Sequence, residues 1–141
     1  RNRNILDLYG SVLSFWHFME KRESGEAKLR VYNPQYEEHG WQSTHTVLEL
    51  LLDDCPFLID SITMELNRLG LTLHFIVHLG NLKVKRDADG IITEILSLGS
   101  PTRSGVIEEA PAYIEIDRQT DVKMLHAIET NLRRVLQDVR N

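Results

Sequence analysis

Residues 44–79 constrain the fold most, because they read as a strand, a helix and a second strand joined by short connections. Side chains alternate in character through 44–52, which is the period of a strand with two different faces. Apolar residues then recur at helical spacing up to Gly70, a residue suited to end a helix. A second alternating stretch occupies 71–79. This pattern predicts a βαβ unit with both strands in one sheet.

The second strand of this unit should have one face in the core and one face turned outward. On the core side we expect Leu71, Leu73, Phe75, Val77 and Leu79. On the outer side we expect a half-apolar surface formed by Thr72, His74, Ile76 and His78 with Val47 and Leu51 of the first strand. Such a surface either binds a partner or is covered by the N-terminal helix, and the sequence leaves both alternatives open.

Further elements flank this unit, each recognised by its hydrophobic period and by the Gly, Pro, Ser or Asp residues around it. They are a helix at 5–20, a strand at 27–32, a hairpin with strands at 82–86 and 91–96, a mobile loop near 99–110, a strand at 112–117 and a helix at 120–139. The first helix carries a broad apolar stripe formed by Ile5, Leu8, Tyr9, Val12, Trp16 and Met19, widened by Leu6 and Leu13.

These elements predict an α/β (α+β) sandwich of the ferredoxin-like type, with helices packed on a mixed or antiparallel sheet. We expect residues 1–141 to form a single domain. Residues 1–26 would be an N-terminal helical extension, and residues 27–141 the core that contains the mobile loop.

Composition excludes several kinds of partner. The net charge is −5, from 16 basic and 21 acidic residues, whereas proteins that bind phosphate backbones need a surplus of Lys and Arg. No apolar run approaches the roughly 20 residues of a membrane span. The single cysteine, Cys55, cannot form an internal disulfide and fits a cytoplasmic location. We therefore expect no nucleic acid and no membrane as partner, and we interpret a chain that begins at Arg1 as a piece of a longer protein.

The candidate catalytic and metal-binding residues do not form a site. His74 and His78 share a predicted strand face, but four strand residues separate them by about 13 Å, too far for one zinc ion. The pairs at 37–38 and 108–109 are adjacent glutamates in polar segments, typical of solvated surface charge. No nucleophile motif and no glycine-rich nucleotide-binding motif occurs. We therefore expect no catalytic residue, no metal and no cofactor in this chain.

Several segments carry a resemblance to a known family. Residues 54–62 (DCPFLIDSI) follow a strand and open a helix, and are similar to the signature of ACT domains, which are small βαββαβ modules that regulate metabolic enzymes by binding amino acids. The wider sequence resembles the N-terminal region of the large bacterial NAD-specific glutamate dehydrogenases. That likeness runs over roughly residues 6–139 and is carried by 31–34 (VYNP), 39–46 (HGWQSTHT), 56–67 and 114–119 (IEIDRQ).

The resemblance implies a non-catalytic, regulatory or oligomerisation domain of a parent enzyme that converts L-glutamate and NAD to 2-oxoglutarate, ammonia and NADH. NAD would bind the parent enzyme outside this chain. The implied partners are other domains of the parent chain and further copies in a homo-oligomer. The alternatives are an amino-acid sensor domain and, from another class, a small stand-alone enzyme on a ferredoxin-like scaffold.

The resemblance also implies a candidate effector site at Asp54, Cys55, Pro56 and Phe57, and the interface candidates are His74, Ile76 and His78. Two departures bear on that site. Amino-acid-binding ACT domains have glycine directly after the proline, and here Phe57 stands there, with a side chain expected to fill the space of a ligand. The family's final strand after the second helix is also missing, and the sequence leaves open whether the strand at 27–32 replaces it.

Overall fold

The computed structural model describes residues 4–97, 99–101 and 103–140. It confirms the predicted α+β sandwich, with an antiparallel sheet of six strands among these residues. The elements in chain order are α1 (Ile5–Glu20), β1 (Lys28–Tyr32), α2 (Tyr36–His39), β2 (Thr46–Asp53), α3 (Leu58–Arg68), β3 (Leu73–His78), β4 (Leu82–Arg86), β5 (Ile92–Ile95), β6 (Ile107–Ile116) and α4 (Val122–Arg140).

Strands β2 and β6 form the centre of the sheet. They pair antiparallel from Thr46 opposite Ile116 to Asp53 opposite Glu109. The other side of β6 is long enough for two partners, since β3 pairs with its second half and β4 with its first half. Because β2 and β3 are both antiparallel to β6, they run parallel to each other, as the βαβ pattern predicts.

Strand β1 completes the sheet on the far side of β2. Lys28 lies opposite Leu51 and Tyr32 opposite Val47, in antiparallel register. The sequence left open whether this strand takes the place of the family's final strand in the sheet. In the structure it lies along the edge of β2, the first strand of the βαβ unit. The sheet thus gains an edge strand that precedes the unit in the chain.

Helices α3 and α4 cover one face of the sheet and form the main core with it. Leu48, Leu50 and Leu52 of β2 point into this core and are fully buried. Strand β6 contributes its alternate residues, and the helices contribute Leu58, Ile62, Leu66, Ile128, Leu132 and Leu136. The alternation predicted for β2 is therefore confirmed.

The outward surface predicted for the second strand is wrong for Ile76, Val47 and Leu51, whereas Thr72, His74 and His78 are exposed as predicted. A register shift between Leu73 and Phe75 reverses the alternation, so that Ile76 packs against the α3–α4 core. Phe75, Val77 and Leu79, expected in the core, are 41%, 43% and 50% exposed. Val47 and Leu51, expected outside, are fully buried because α1 lies on that face of β2.

Three local predictions also differ from the structure. Helix α3 begins at Leu58 with no side-chain cap, so Asp54 does not cap it. Helix α4 is capped by Asp121 rather than by Thr120, since Asp121 accepts a 2.9 Å bond from the Lys123 amide. The loop near 99–110 ends earlier than expected, since β6 begins at Ile107. Thr102 of that loop lies outside the described residues.

Helix α1 lies on the second face of the sheet with its apolar stripe turned away from it. The inward side carries Gly10, Ser11 and Ser14 together with Phe15 and Met19. Met19 was predicted as part of the stripe, but it is only 7% exposed. A Cβ built on Gly10 would lie 2.4 Å from Cβ of Trp41, so this approach requires glycine. Outside lie the residues we call the outer stripe, with exposed fractions from 38% to 78%: Ile5, Leu6, Leu8, Tyr9, Val12, Leu13 and Trp16.

An ion-pair cluster fixes the C-terminal end of α1 to the sheet. Glu109 is fully buried and accepts bonds from Arg22 at 2.7 Å and from Arg86 at 2.9 Å. Arg22 also binds Asp53 at 2.8 Å. Arg86 donates further bonds to the carbonyl oxygens of Met19 and Gly90. The prediction that Glu109 is solvated surface charge is therefore wrong, because a strand places it beneath two arginines.

We expect Glu109→Gln to lower the free energy of unfolding by about 3–5 kcal/mol, because it removes the carboxylate of Arg86 and one of the two carboxylates that bind Arg22. Urea denaturation of the variant and the wild-type chain measures this difference. The control is Glu37→Gln on the exposed side of α2, which should change stability by no more than about 0.5 kcal/mol. Equal stabilities for the two variants would contradict a structural role for the cluster.

Candidate functional site

The sheet face beneath α1 carries a row of acidic side chains, which we call the carboxylate face: Glu49, Asp53, Glu109 and Glu115. All four follow the alternation of β2 and β6, on the opposite side from the leucine core. Glu49, Glu109 and Glu115 are fully buried. Buried carboxylates require partners, and each of these has at least one polar neighbour on α1, on β1 or in a loop.

Glu49 is the least well compensated of these acids. One oxygen, Oε2, accepts a 3.2 Å bond from Ser14 of α1, while Oε1 lies 3.7 Å from Nη1 of Arg30 and accepts no hydrogen bond. Burial raises the pKa of Glu49, and the charge of Arg30 only partly opposes that rise. Burial and the nearby Glu49 also raise the pKa of Tyr32 to about 12.

A cleft of about 870 Å³ opens beside Glu115, between the start of α1, the loop before β2 and the edge strand β3. Glu115 accepts a 2.7 Å bond from the hydroxyl of Tyr113 and lies 3.5 Å from Nδ1 of His45. The ring of His45 packs against that of His74, with 4.7 Å between centroids and 33° between the ring planes. His74 in turn binds Asp117 at 2.5 Å. The cleft wall is thus a chain of two imidazoles, each matched to a carboxylate.

These contacts suit a structural connection between loop and sheet more than chemistry. The hydrogen bond from His74, together with one from the Thr72 amide, lowers the pKa of Asp117. Among the described residues, no group of three or more His, Cys, Asp or Glu side chains is placed to hold a metal ion. In the same part of the chain, no helix has the length and apolar character needed to cross a bilayer.

The predicted effector turn lies at the opposite end of β3 from this cleft. Asp54 and Pro56 are exposed, and Cys55 is half-buried, with burial and then the charge of Asp54 raising the pKa of its thiol. Phe57 adopts φ +64°, the left-handed conformation that glycine takes without strain, and its side chain is 75% exposed. The ring is therefore not packed into the protein at this turn.

The structure separates the two predicted histidines. His74 belongs to the cleft at Glu115, whereas His78 lies next to the effector turn. A Cβ built on Gly80 would lie 3.5 Å from Cε1 of His78 and 3.8 Å from Oδ1 of Asp54. The predicted candidates thus fall into one group at the turn (Asp54, Cys55, Pro56, Phe57 and His78), with Ile76 in the core and His74 in the cleft.

The buried polar residues were missed by the sequence predictions. A usable signal was present on the strand faces that carry the glutamates. Val47 and Leu51 share the face of Glu49, and Tyr113 shares that of Glu115, so both faces of each strand are largely apolar, as in a strand covered on both sides. No comparable signal marked Arg22, which lies in a polar stretch after α1.

The sequence of this chain matches known proteins over almost its whole length. Residues 1–132 match the family model described as glutamate dehydrogenase, ACT1 domain. An NAD-specific glutamate dehydrogenase of Pseudomonas aeruginosa is 45% identical over 138 residues, covering 98% of this chain, and that of Halomonas elongata is 43% identical over 139 residues, covering 99%. The chain spans about 8% of the length of each of these relatives.

We expect Glu49→Gln to raise the melting temperature at neutral pH and to have little effect near pH 4. Burial raises the pKa of Glu49 in the folded state, so the unfolded chain ionises first as pH rises. As pH rises from the pKa of Glu49 in the unfolded chain to its pKa in the folded chain, the wild-type chain therefore loses stability. The Glu49→Gln variant has no group to ionise at this position and keeps its stability over that range. Melting curves between pH 4 and pH 8 measure the difference.

The matched control for this pH series is Glu23→Gln, since Glu23 is 63% exposed. Its melting temperature should follow that of the wild-type chain at every pH. A Glu49→Gln effect of the same size at pH 4 and pH 8, or a loss of stability at neutral pH, would contradict the raised pKa.

Proposed function

Because this chain belongs to the glutamate dehydrogenase ACT1-domain family, we propose that it is a non-catalytic domain that supports the assembly or regulation of a larger NAD-specific glutamate dehydrogenase. The parent enzyme would oxidise L-glutamate with NAD to 2-oxoglutarate and ammonia. NAD and glutamate would bind in the parent chain outside residues 1–141.

One observation carries this proposal: the buried ionic groups are engaged in holding elements together. Arg22 and Arg86 direct their N–H groups to Glu109 and to backbone carbonyls, and so connect α1 and the β4–β5 hairpin to the sheet. A catalytic acid or base instead needs a substrate within hydrogen-bond reach of a suitably placed side chain. Charges used in this way favour a rigid docking unit over an active site.

A second candidate function, an amino-acid sensor, is supported by the effector turn. Asp54 and His78 both lie next to Gly80 there, and both are exposed. Phe57 stands where binding ACT domains have glycine, and it adopts the left-handed conformation that glycine takes without strain, although its side chain is large. The turn therefore has suitable backbone geometry, and the phenyl ring is the element that differs.

We expect the purified chain to produce no NADH from glutamate and NAD. A full-length parent enzyme from which residues 1–141 have been deleted should keep chemical turnover while its oligomeric state or its response to effectors changes. Activity assays and analytical ultracentrifugation measure these outcomes. Turnover by the isolated chain above a no-protein control would contradict the proposal, as would a deletion that abolishes catalysis in an enzyme of unchanged assembly and folding.

We expect the wild-type chain to bind no free amino acid tightly, because the phenyl ring of Phe57 stands where the family's binders have glycine. A thermal-shift screen of the twenty amino acids and 2-oxoglutarate tests this, since a ligand at 100 times its dissociation constant stabilises a fold by about 2.7 kcal/mol. Phe57→Gly should fold normally, since it also relieves a left-handed strain of about 1–2 kcal/mol. A shift in the wild-type chain that Asp54→Ala abolishes would favour the sensor function.

A further inference from the structure

The outer stripe of α1 is an apolar helix face whose members stay 38–78% exposed among the described residues. Its members recur at intervals of three and four, which places them on one side of the helix. A specific interface buries about 800 Å² on each partner, and seven large side chains exposed by 38–78% supply a patch of that order. Scattered apolar residues are normal on a protein surface, but a continuous helical stripe marks an interaction site.

The carboxylate face explains why the stripe cannot turn inward. Beneath α1 lie Glu49 and its partner Tyr32, and Ser14 of α1 binds both, at 3.2 Å and 2.9 Å. Rotating the helix to bury the stripe would remove Ser14 from Glu49 and place leucine side chains against a buried carboxylate. The exposed apolar face is therefore a fixed feature of the folded domain.

A groove of about 620 Å³ beside the outer stripe indicates which charge a docked segment should carry. Its lining includes Leu6 and Leu13 of α1 and Arg30 of β1. Glu38 of α2 also lines it and lies 3.7 Å from Nε2 of His39. The guanidinium of Arg30 lies 3.7 Å above the ring of Tyr32, and its ion-pair distance to Glu49 is also 3.7 Å, beyond hydrogen-bond range. Its side chain remains 41% exposed, so a carboxylate from outside can approach it.

Resting on the proposed function, we infer that the outer stripe docks a helix of the parent chain that lies outside residues 1–141, with an apolar face on α1 and a carboxylate directed to Arg30. The relatives that this chain matches continue for more than nine-tenths of their length beyond it, which provides such a segment. Helix-on-helix packing suits a stripe of this spacing and length.

Two other occupants fit less well. A second copy would offer its own α1, but the acids of that helix are engaged, since Asp7 accepts a bond from the Gln42 amide and Glu20 binds His17. A lipid surface favours helices with Lys or Arg on the polar side, and α1 carries neither. Both remain outcomes of the experiment below.

The experiment uses the full-length parent enzyme with a photo-crosslinking benzoylphenylalanine in place of Tyr9, which is 66% exposed. Mass spectrometry should identify cross-links to a helix outside residues 1–141. Cross-links to the outer stripe of a second copy, cross-links to added lipid, or the absence of any cross-link would each overturn the inference.

Hydrogen exchange in the same enzyme provides the energetic test. Val12→Glu should speed exchange of the α1 amides by about tenfold or more while β2 and β6 exchange as before. The matched control is Val122→Glu, a valine in α4 that is 76% exposed, against 62% for Val12. Arg30→Gln should speed α1 exchange by a smaller factor. Its control is Arg134→Gln, which should leave α1 exchange unchanged, because Arg134 is also partly exposed, at 54%, and has a similarly long ion pair of 3.8 Å.

Unchanged α1 exchange in Val12→Glu would overturn the inference without affecting the proposed function. The proposed function is tested separately, by deleting residues 1–141 and measuring the oligomeric state, the effector response and the turnover of the enzyme. If that deletion changes neither assembly nor effector response, the proposed function fails, even if the cross-link at position 9 identifies a neighbouring helix.

Discussion

The architecture depends on the pairing of one buried carboxylate, that of Glu109, with two arginines from different parts of the chain. Arg22 follows α1 and Arg86 ends β4, and both reach the same side chain on β6. Removing three charges from water is costly unless their geometry is good, and bonds of 2.7–2.9 Å meet that condition. The pairing also brings Gly90 against the backbone of Arg22, where a Cβ would lie 2.4 Å from a carbonyl oxygen.

The two faces of the sheet follow different physical rules as a result. The face beneath α3 and α4 is a leucine and isoleucine core, stabilised by the removal of apolar surface from water. The face beneath α1 also carries buried acids that need directional bonds, so the helix above it places Ser14 there beside the apolar Phe15 and Met19. An amphipathic helix normally packs through its apolar side; here the polar demand of the sheet takes precedence, and the apolar side is left for another molecule or another part of the chain.

Sequence reasoning could predict the helices and strands whose signal is a hydrophobic repeat within the element itself. The βαβ unit, the hairpin at 82–96 and the helices at both ends appear in the structure because their hydrophobic repeats and turn residues are local signals. The orientation of α1 on the sheet could not be predicted. Its sequence shows that the apolar residues share one side of the helix, but not whether that side contacts the sheet or faces away from it. The face of Ile76 was mispredicted for a related reason, since a one-residue bulge in β3 reverses the alternation and leaves no mark in composition.

The position of β1 has a consequence for how the chain can be divided. Arg22, in the segment expected to be an extension, is 2% exposed within the ion cluster, and β1 directly after it covers the edge of β2. A fragment that began after β1 would present the amides and carbonyls of β2 as an open strand edge, flanked on both faces by apolar or desolvated side chains. Open edges of this kind template pairing with other chains. Residues 22–32 therefore belong to the folded unit, since they close the ion cluster and cover the long edge of β2.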